Sequence, residues 1–263
     1  MTPEDLLRQY LEQRREMGER EIVLDRLTAS DLSSLRVPPA ARTPTVVSPA
    51  DPVKGPAGAA PGLVSEQSLF VEDDPGRDAR SLADVAALIA GCRRCPLYAT
   101  AKKPVPGEGS SAAKLMCIGE APGAMEDETG RPFVGQAGQL LTKILAAINL
   151  SRDDVFIANV LKHRPPGNRN PLPEEVEACR PYLARQIELI HPKVIVALGA
   201  FAAQTLLGTR LAIGKLRGEV HRYRGIPVIV TYHPAALLRN PAWKRPTWED
   251  VQLARTILDS SPA

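Results

Sequence analysis

The chain has 263 residues, 44% of them hydrophobic, with 33 Lys plus Arg set against 30 Asp plus Glu for a formal net charge of +3. That is apolar enough for a sizeable core, yet no run nears the ~18 apolar residues of a membrane span. The opening stretch MTPEDLLRQYLEQRRE is charged and unlike a leader, so neither a membrane nor a secreted protein is expected, and a balance of +3 does not by itself call for a polyanionic partner. Residues 1–30 read as a charged helical segment with a weak stripe at Leu6, Leu7, Tyr10 and Leu11. Residues 31–80 hold the Pro/Ala/Gly-rich run VPPAARTPTVVSPADPVKGPAGAAPG, which has no periodicity and no aromatic residue. A segment of that kind buries too little to offset its ordering entropy, so it reads as a flexible linker.

A folded domain is expected over 81–263. SLADVAALIAG offers a Ser cap, helical spacing and a terminating Gly91. KLMCIG (114–119), VFIANVL (155–161), KVIVALG (193–199) and IPVIVTYHP (226–234) are short apolar runs that read as strands. Between and after them, QAGQLLTKILAAINL, PEEVEACRPYLARQIELI, AFAAQTLLG and TWEDVQLARTIL carry helical periodicity. Strands alternating with helices predict an α/β fold, a three-layer α/β/α sandwich around a central four-stranded, mainly parallel sheet. Ligands of such sheets bind beyond the carboxyl ends of the strands. Three of the four strands run there into unusual polar segments: GEAPG, NVLKHRPPGNRNP and TYHPAALLR.

Those segments resemble the uracil-DNA glycosylase superfamily, most closely its family 4, the iron–sulfur branch. The resemblance spans roughly 82–258 and rests on CRRCPL, GEAPGAMEDETGRPFVGQAGQLL, NVLKHRPPGNRNPLPEEVEAC and TYHPAALLRNP. It implies base excision repair of damaged DNA, with uracil flipped into a pocket, its N-glycosidic bond hydrolysed and an abasic site left behind. Phe133 would stack on the base. Asn159, whose amide sets a donor beside an acceptor, would read uracil and refuse cytosine, because a mismatch leaves buried polar groups unpaired. His233 would donate to uracil O2 as charge develops there. Gly119 and Ala121, in GEAPG, would line the base site, with Glu120 between them as a catalytic candidate. The superfamily's water-positioning aspartate is Ala121 here, as in family 4, so Glu126 and Asp127 become the water-activation candidates, Glu126 preferred of the two, with solvated loop acids as the equal alternative.

Leu237 would enter the space the flipped nucleotide leaves, unless it is an ordinary helix-face leucine. Arg239, Lys244 and Arg245, with Lys162, Arg164 and Arg169 on the neighbouring loop, would contact phosphates. Cys92, Cys95 and Cys179 match three ligands of the family's 4Fe-4S cluster, and His163 stands where most members have the fourth cysteine. Its offsets of 68 from Cys95 and 16 from Cys179 keep that register. Zinc in a Cys3His site is the alternative metal. Cys117, inside an apolar strand, reads as a buried hydrophobe, and His191 and His221 as structural. Two other functions stay open: a non-catalytic iron–sulfur DNA-binding module of the same fold, and a glycosylase for another deaminated base. The remaining expectations are a cytoplasmic, nucleoid-associated monomer acting on uracil-containing DNA, with the N-terminal extension available to a repair or replication partner.

Overall fold

The structure, a computed structural model, describes residues 75–260, so the helical segment at 1–30 and most of the linker lie outside the described residues. Helix α1 (Leu82–Ala90) starts as expected at Ser81, whose hydroxyl accepts from the Asp84 amide at 3.1 Å while the Asp84 carboxylate accepts from the Ser81 amide at 2.9 Å. The domain begins slightly earlier than the sequence suggests. Ala79 is buried against Val85, Ile89 and Tyr182, and Arg185 Nε donates to its carbonyl at 2.8 Å.

In chain order α1 is followed by α2 (Leu97–Thr100), β1 (Glu108–Gly109), β2 (Leu115–Gly119), α3 (Ala124–Thr129), α4 (Gln136–Ala147), β3 (Val155–Asn159) and α5 (Pro173–Ile190). Then come β4 (Val194–Leu198), α6 (Ala200–Leu207), α7 (Ile213–Leu216), β5 (Val220–Tyr223), β6 (Ile226–Thr231), α8 (Pro234–Arg239) and α9 (Lys244–Ser260). The sheet has the order β1-β3-β2-β4-β6-β5 among the described residues. Its inner four strands are parallel and are the four read from the sequence. Two antiparallel edge strands enlarge the expected sheet to six. β1 spans only two residues, and β5 (VHRY) is polar, so neither carries an apolar run.

Every residue of β2, β3 and β4 is buried, as parallel strands covered on both faces must be. The strand period of two divides them between two cores. Met116, Ile118, Phe156, Ala158, Ile195 and Ala197 pack on one face with Leu183 and Ile187 of α5 and Ala202 of α6. Leu115, Cys117, Val155, Ile157, Val194 and Val196 pack on the other with Leu141 of α4 and Ala254 of α9. Cys117 is the buried hydrophobe it was expected to be, and burial pushes its thiol up to about 12. The order 3-2-4 reverses direction at β2, which opens a crevice at the strands' carboxyl ends.

Candidate active site

Parallel register sets Gly119, the last residue of β2, beside Asn159, the last of β3. Pairing continues past the strands, with Val160 N donating to Gly119 O at 2.9 Å and Leu161 N to Glu120 O at 3.0 Å. A Cβ on residue 119 would stand 2.4 Å from Asn159 Oδ1 and 2.6 Å from Phe133 Cζ. Glycine there leaves the gap in which the amide and the ring meet. Asn159 is 2% exposed, and its Oδ1 has no hydrogen-bond partner among the described residues. An orphaned buried acceptor costs about 1–3 kcal/mol, which an incoming donor recovers.

Phe133 sits at φ 52°, a left-handed conformation that strains a non-glycine residue by on the order of 1–3 kcal/mol. Its surroundings impose that geometry. Arg152 donates to the Phe133 carbonyl at 3.0 Å and to the Pro132 carbonyl at 2.7 Å. At Gly138, in the first turn of α4, a Cβ would fall 1.8 Å from the Phe133 carbonyl oxygen, so only glycine admits this approach. Glu126 Oε1 accepts from the amides of Val134 at 2.9 Å and Gly135 at 3.0 Å. Glu126 thus braces the Phe133 loop through one carboxylate oxygen, and its side chain also lines the cavity that holds Phe133, Asn159 and His233. Asp127 is equally committed: it is buried, accepts from the Lys102 amide at 2.8 Å and faces Arg164 at 3.8 Å.

His233 caps α8, its Nδ1 accepting from Ala235 N at 3.1 Å. That bond puts the proton of the neutral ring on Nε2. The ring centroid is 5.5 Å from that of Phe133, with the planes at 32°. Burial, reinforced by the Arg239 charge and opposed by Glu126, lowers its pKa to about 4, so the ring is neutral at physiological pH. Glu120 and Ala121 line the same cavity as Phe133, Asn159 and His233. Burial raises the Glu120 carboxyl above the ordinary carboxylate range.

The structure redistributes the residues expected to meet DNA. Arg239, Lys244 and Arg245 are exposed, and Arg239 lines the cavity. Arg164 is half-buried and donates to Asn168 Oδ1 at 2.8 Å. Arg169 also lines the cavity, but it is held by Glu175, to which it donates at 2.9 Å. Lys162 does not reach the surface: it is 1% exposed, with its Nζ on the Asn159 carbonyl at 2.7 Å. Leu237 is likewise turned inward at 1% exposure, whereas Leu238 is 47% exposed. On a helix of 100° per residue, Ala235 and Arg239 mark the cavity face of α8. Leu237 lies on the far side from them, and Leu238 flanks them.

Of the four candidate metal ligands, two are brought together. The Cys95 and Cys179 thiols hydrogen-bond, which lowers Cys95 and raises Cys179, and the Lys162 amide also points at the Cys179 sulfur. Cys92 lies against the Tyr182 hydroxyl one helical turn along α5. His163 is buried in the field of the Asp127 carboxylate, and burial holds its pKa down. No three His, Cys, Asp or Glu side chains converge at metal distance among the described residues. The geometry therefore pairs two thiols, Cys95 and Cys179, with Cys92 set on Tyr182 and His163 facing Asp127. Gly138 and Arg152 are positioning residues that motif reading missed, and Glu126 was singled out there for a different role. A glycine inside an otherwise amphipathic helix was the one signal available for Gly138, and nothing near Arg152 marks it.

Residues 106–253 match the model of the uracil DNA glycosylase superfamily. The type-4 uracil-DNA glycosylase of Pyrobaculum aerophilum is 49% identical over 174 residues, covering 63% of this chain and 89% of that protein. The type-4 enzyme of Thermotoga maritima is 44% identical over 178 residues, covering 66% and 93%. The type-5 uracil-DNA glycosylase of Pyrobaculum aerophilum is 34% identical over 188 residues, covering 59% and 82%. Within one organism the likeness thus favours type 4 over type 5. With the superfamily match spanning the strands and loops that build the cavity, the chain belongs to the uracil DNA glycosylase superfamily.

Proposed function

We propose that this protein is a DNA-repair glycosylase that hydrolyses the N-glycosidic bond of uracil in DNA. The observation that carries this reading is the buried Asn159 Oδ1, unpartnered among the described residues and beside the Phe133 ring, with the His233 ring centroid 5.5 Å from that of Phe133. A uracil stacked on Phe133 offers its N3–H to Asn159 Oδ1 and its O4 to Asn159 Nδ2, and leaves O2 for His233 Nε2–H. Cytosine carries an amino group where uracil has O4 and no proton at N3, so both amide bonds are lost at once. As the bond to the sugar lengthens, negative charge accumulates on O2, and a fixed neutral donor stabilises it without a proton transfer. Glu120, the carboxyl that faces the cavity without a brace role, orients the water or stabilises the cationic sugar.

Arg239, Lys244 and Arg245 are placed to hold phosphates, and Leu238 replaces Leu237 as the apolar residue that faces the duplex. Cys92, Cys95 and Cys179, with His163, supply three thiols and an imidazole, a donor set suited to a structural iron–sulfur cluster. Such a cluster contributes no electron to a hydrolysis and acts by fastening the 92–97 and 159–163 segments to α5. The test is incubation of anaerobically purified protein with a uracil oligonucleotide and its cytosine and hypoxanthine counterparts, followed by alkali. Scission of the uracil strand alone supports the assignment; no scission removes it.

A further inference from the structure

Lys162 is a buried cation that the reaction above does not use. Its Nζ donates to the Asn159 carbonyl at 2.7 Å and to Gln186 Oε1 at 2.8 Å. Gln186, itself 1% exposed, passes the contact on by donating to the Pro106 carbonyl at 2.6 Å. The main chain of Lys162 is tied as well, its carbonyl accepting from Val105 N at 2.7 Å and its amide meeting the Cys179 sulfur. Among the described residues no carboxylate hydrogen-bonds the ammonium. A methionine would fill the same space without the desolvation cost of a charge. The position must therefore be judged by what the ammonium holds, and it holds the peptide group of the specificity residue.

That peptide is bonded on both sides. Its carbonyl accepts from Lys162 Nζ, and its N–H, which belongs to Val160, donates to Gly119 O at 2.9 Å. A cation on the carbonyl polarises the peptide and strengthens its N–H as a donor. One continuous run of hydrogen bonds thus leads from α5, through Lys162, to Gly119, the glycine against which the Asn159 amide and the Phe133 ring pack.

We propose that Lys162 is a positioning residue for base recognition: by gripping the Asn159 carbonyl from behind, it fixes the angle at which the Asn159 amide meets the base, and through Gln186 it sets that angle against α5. The proposal rests on the uracil-glycosylase reading, and its test separates the two. Lys162→Met and Gln186→Leu are compared with wild type for melting temperature, amide exchange at Val160 and Leu161, inhibition by free uracil, abasic-oligonucleotide binding and single-turnover excision. Lys162→Met should exchange faster at Val160, bind free uracil about tenfold more weakly and excise about tenfold more slowly, because a misaimed amide loses one good hydrogen bond. Abasic-DNA binding should hold. Gln186→Leu, which leaves the Nζ bond to Asn159, should show the same pattern at smaller amplitude, and it decides the matter if Lys162→Met does not fold.

A residue that only fills space would change the melting temperature and leave uracil inhibition as in wild type. That result, in whichever variant folds, overturns the proposal. Should wild type itself fail to excise uracil, the proposed function falls, while exchange at Val160 still reports whether Lys162 holds that peptide.

Discussion

Asn159 ends a strand whose other four residues are apolar, and its amide oxygen is left in the interior with nothing to bond. Asn159→Asp keeps the volume but turns the donor half into an acceptor that can meet the cytosine amino group. Uracil excision should fall by at least about tenfold, and the preference over cytosine should relax, as matched oligonucleotides will show. His233→Ala should slow single-turnover excision by roughly 10²–10³ with little change in DNA binding, the usual loss for an oxyanion donor. The same residue has a signature in stability. Its folded pKa of about 4 lies below the ordinary 6.5, so between those values the unfolded chain takes up a proton that the folded one refuses. That contribution is complete above pH 6.5 and is lost as pH falls towards 4. Melting temperatures across this range should drop less steeply in His233→Ala than in wild type. Glu120, raised by burial, should set an acid limb on excision above the ordinary carboxylate range, and Glu120→Gln should remove that limb.

At the level of elements, α8 shows why a motif locates a segment better than it assigns its members. HPAALLR fixed the place of His233 and of the helix after it, but two adjacent leucines are equivalent as letters. Burial separates them. Leu237→Ala should cost about 2–4 kcal/mol of stability for a core truncation, read by denaturant unfolding. Leu238→Ala should leave stability alone and reduce excision from duplex more than from single-stranded DNA, since only the duplex has stacked neighbours to part. Equal effects on the two substrates would take Leu238 away from the duplex. Lys162 failed for a related reason: from sequence it is one basic residue in a basic loop, and only the packing of α5 shows that its side chain points inward. The Phe133 loop was legible in RPFVG as an aromatic outside any helix face, yet its left-handed backbone and its brace were not. Arg152, 19 residues further along, supplies that brace through a contact with no local pattern. Arg152→Ala should slow excision while sparing the melting temperature more than Leu237→Ala does.

For the whole molecule, the four parallel strands were readable because each is a short, continuous apolar run, and burial on both faces demands that pattern. The edge strands have no such requirement, so their polar sequence concealed them. The metal centre was legible as a set of residues but not as a place. CRRC, His163 and Cys179 lie far apart in the chain, and what they share is α5, which meets the 92–97 segment through the Cys95–Cys179 thiol contact and the 159–163 segment through Lys162. A cluster there would tie three segments together, so its loss should act on stability before chemistry. Protein purified without oxygen should contain iron and sulfide, not zinc. Chelation should lower the melting temperature, because metal bound by the folded state alone adds directly to folding free energy. Excision by the protein still folded at low temperature should stay within a few-fold of the untreated sample, since the base-site residues His233, Phe133 and Glu120 are not among the ligands. His163→Cys should retain iron more firmly than wild type under acid challenge and His163→Ala less firmly, because released imidazole competes for protons as metal leaves. Equal iron retention in all three would show that His163 does not bind the metal and belongs to the Asp127 loop instead.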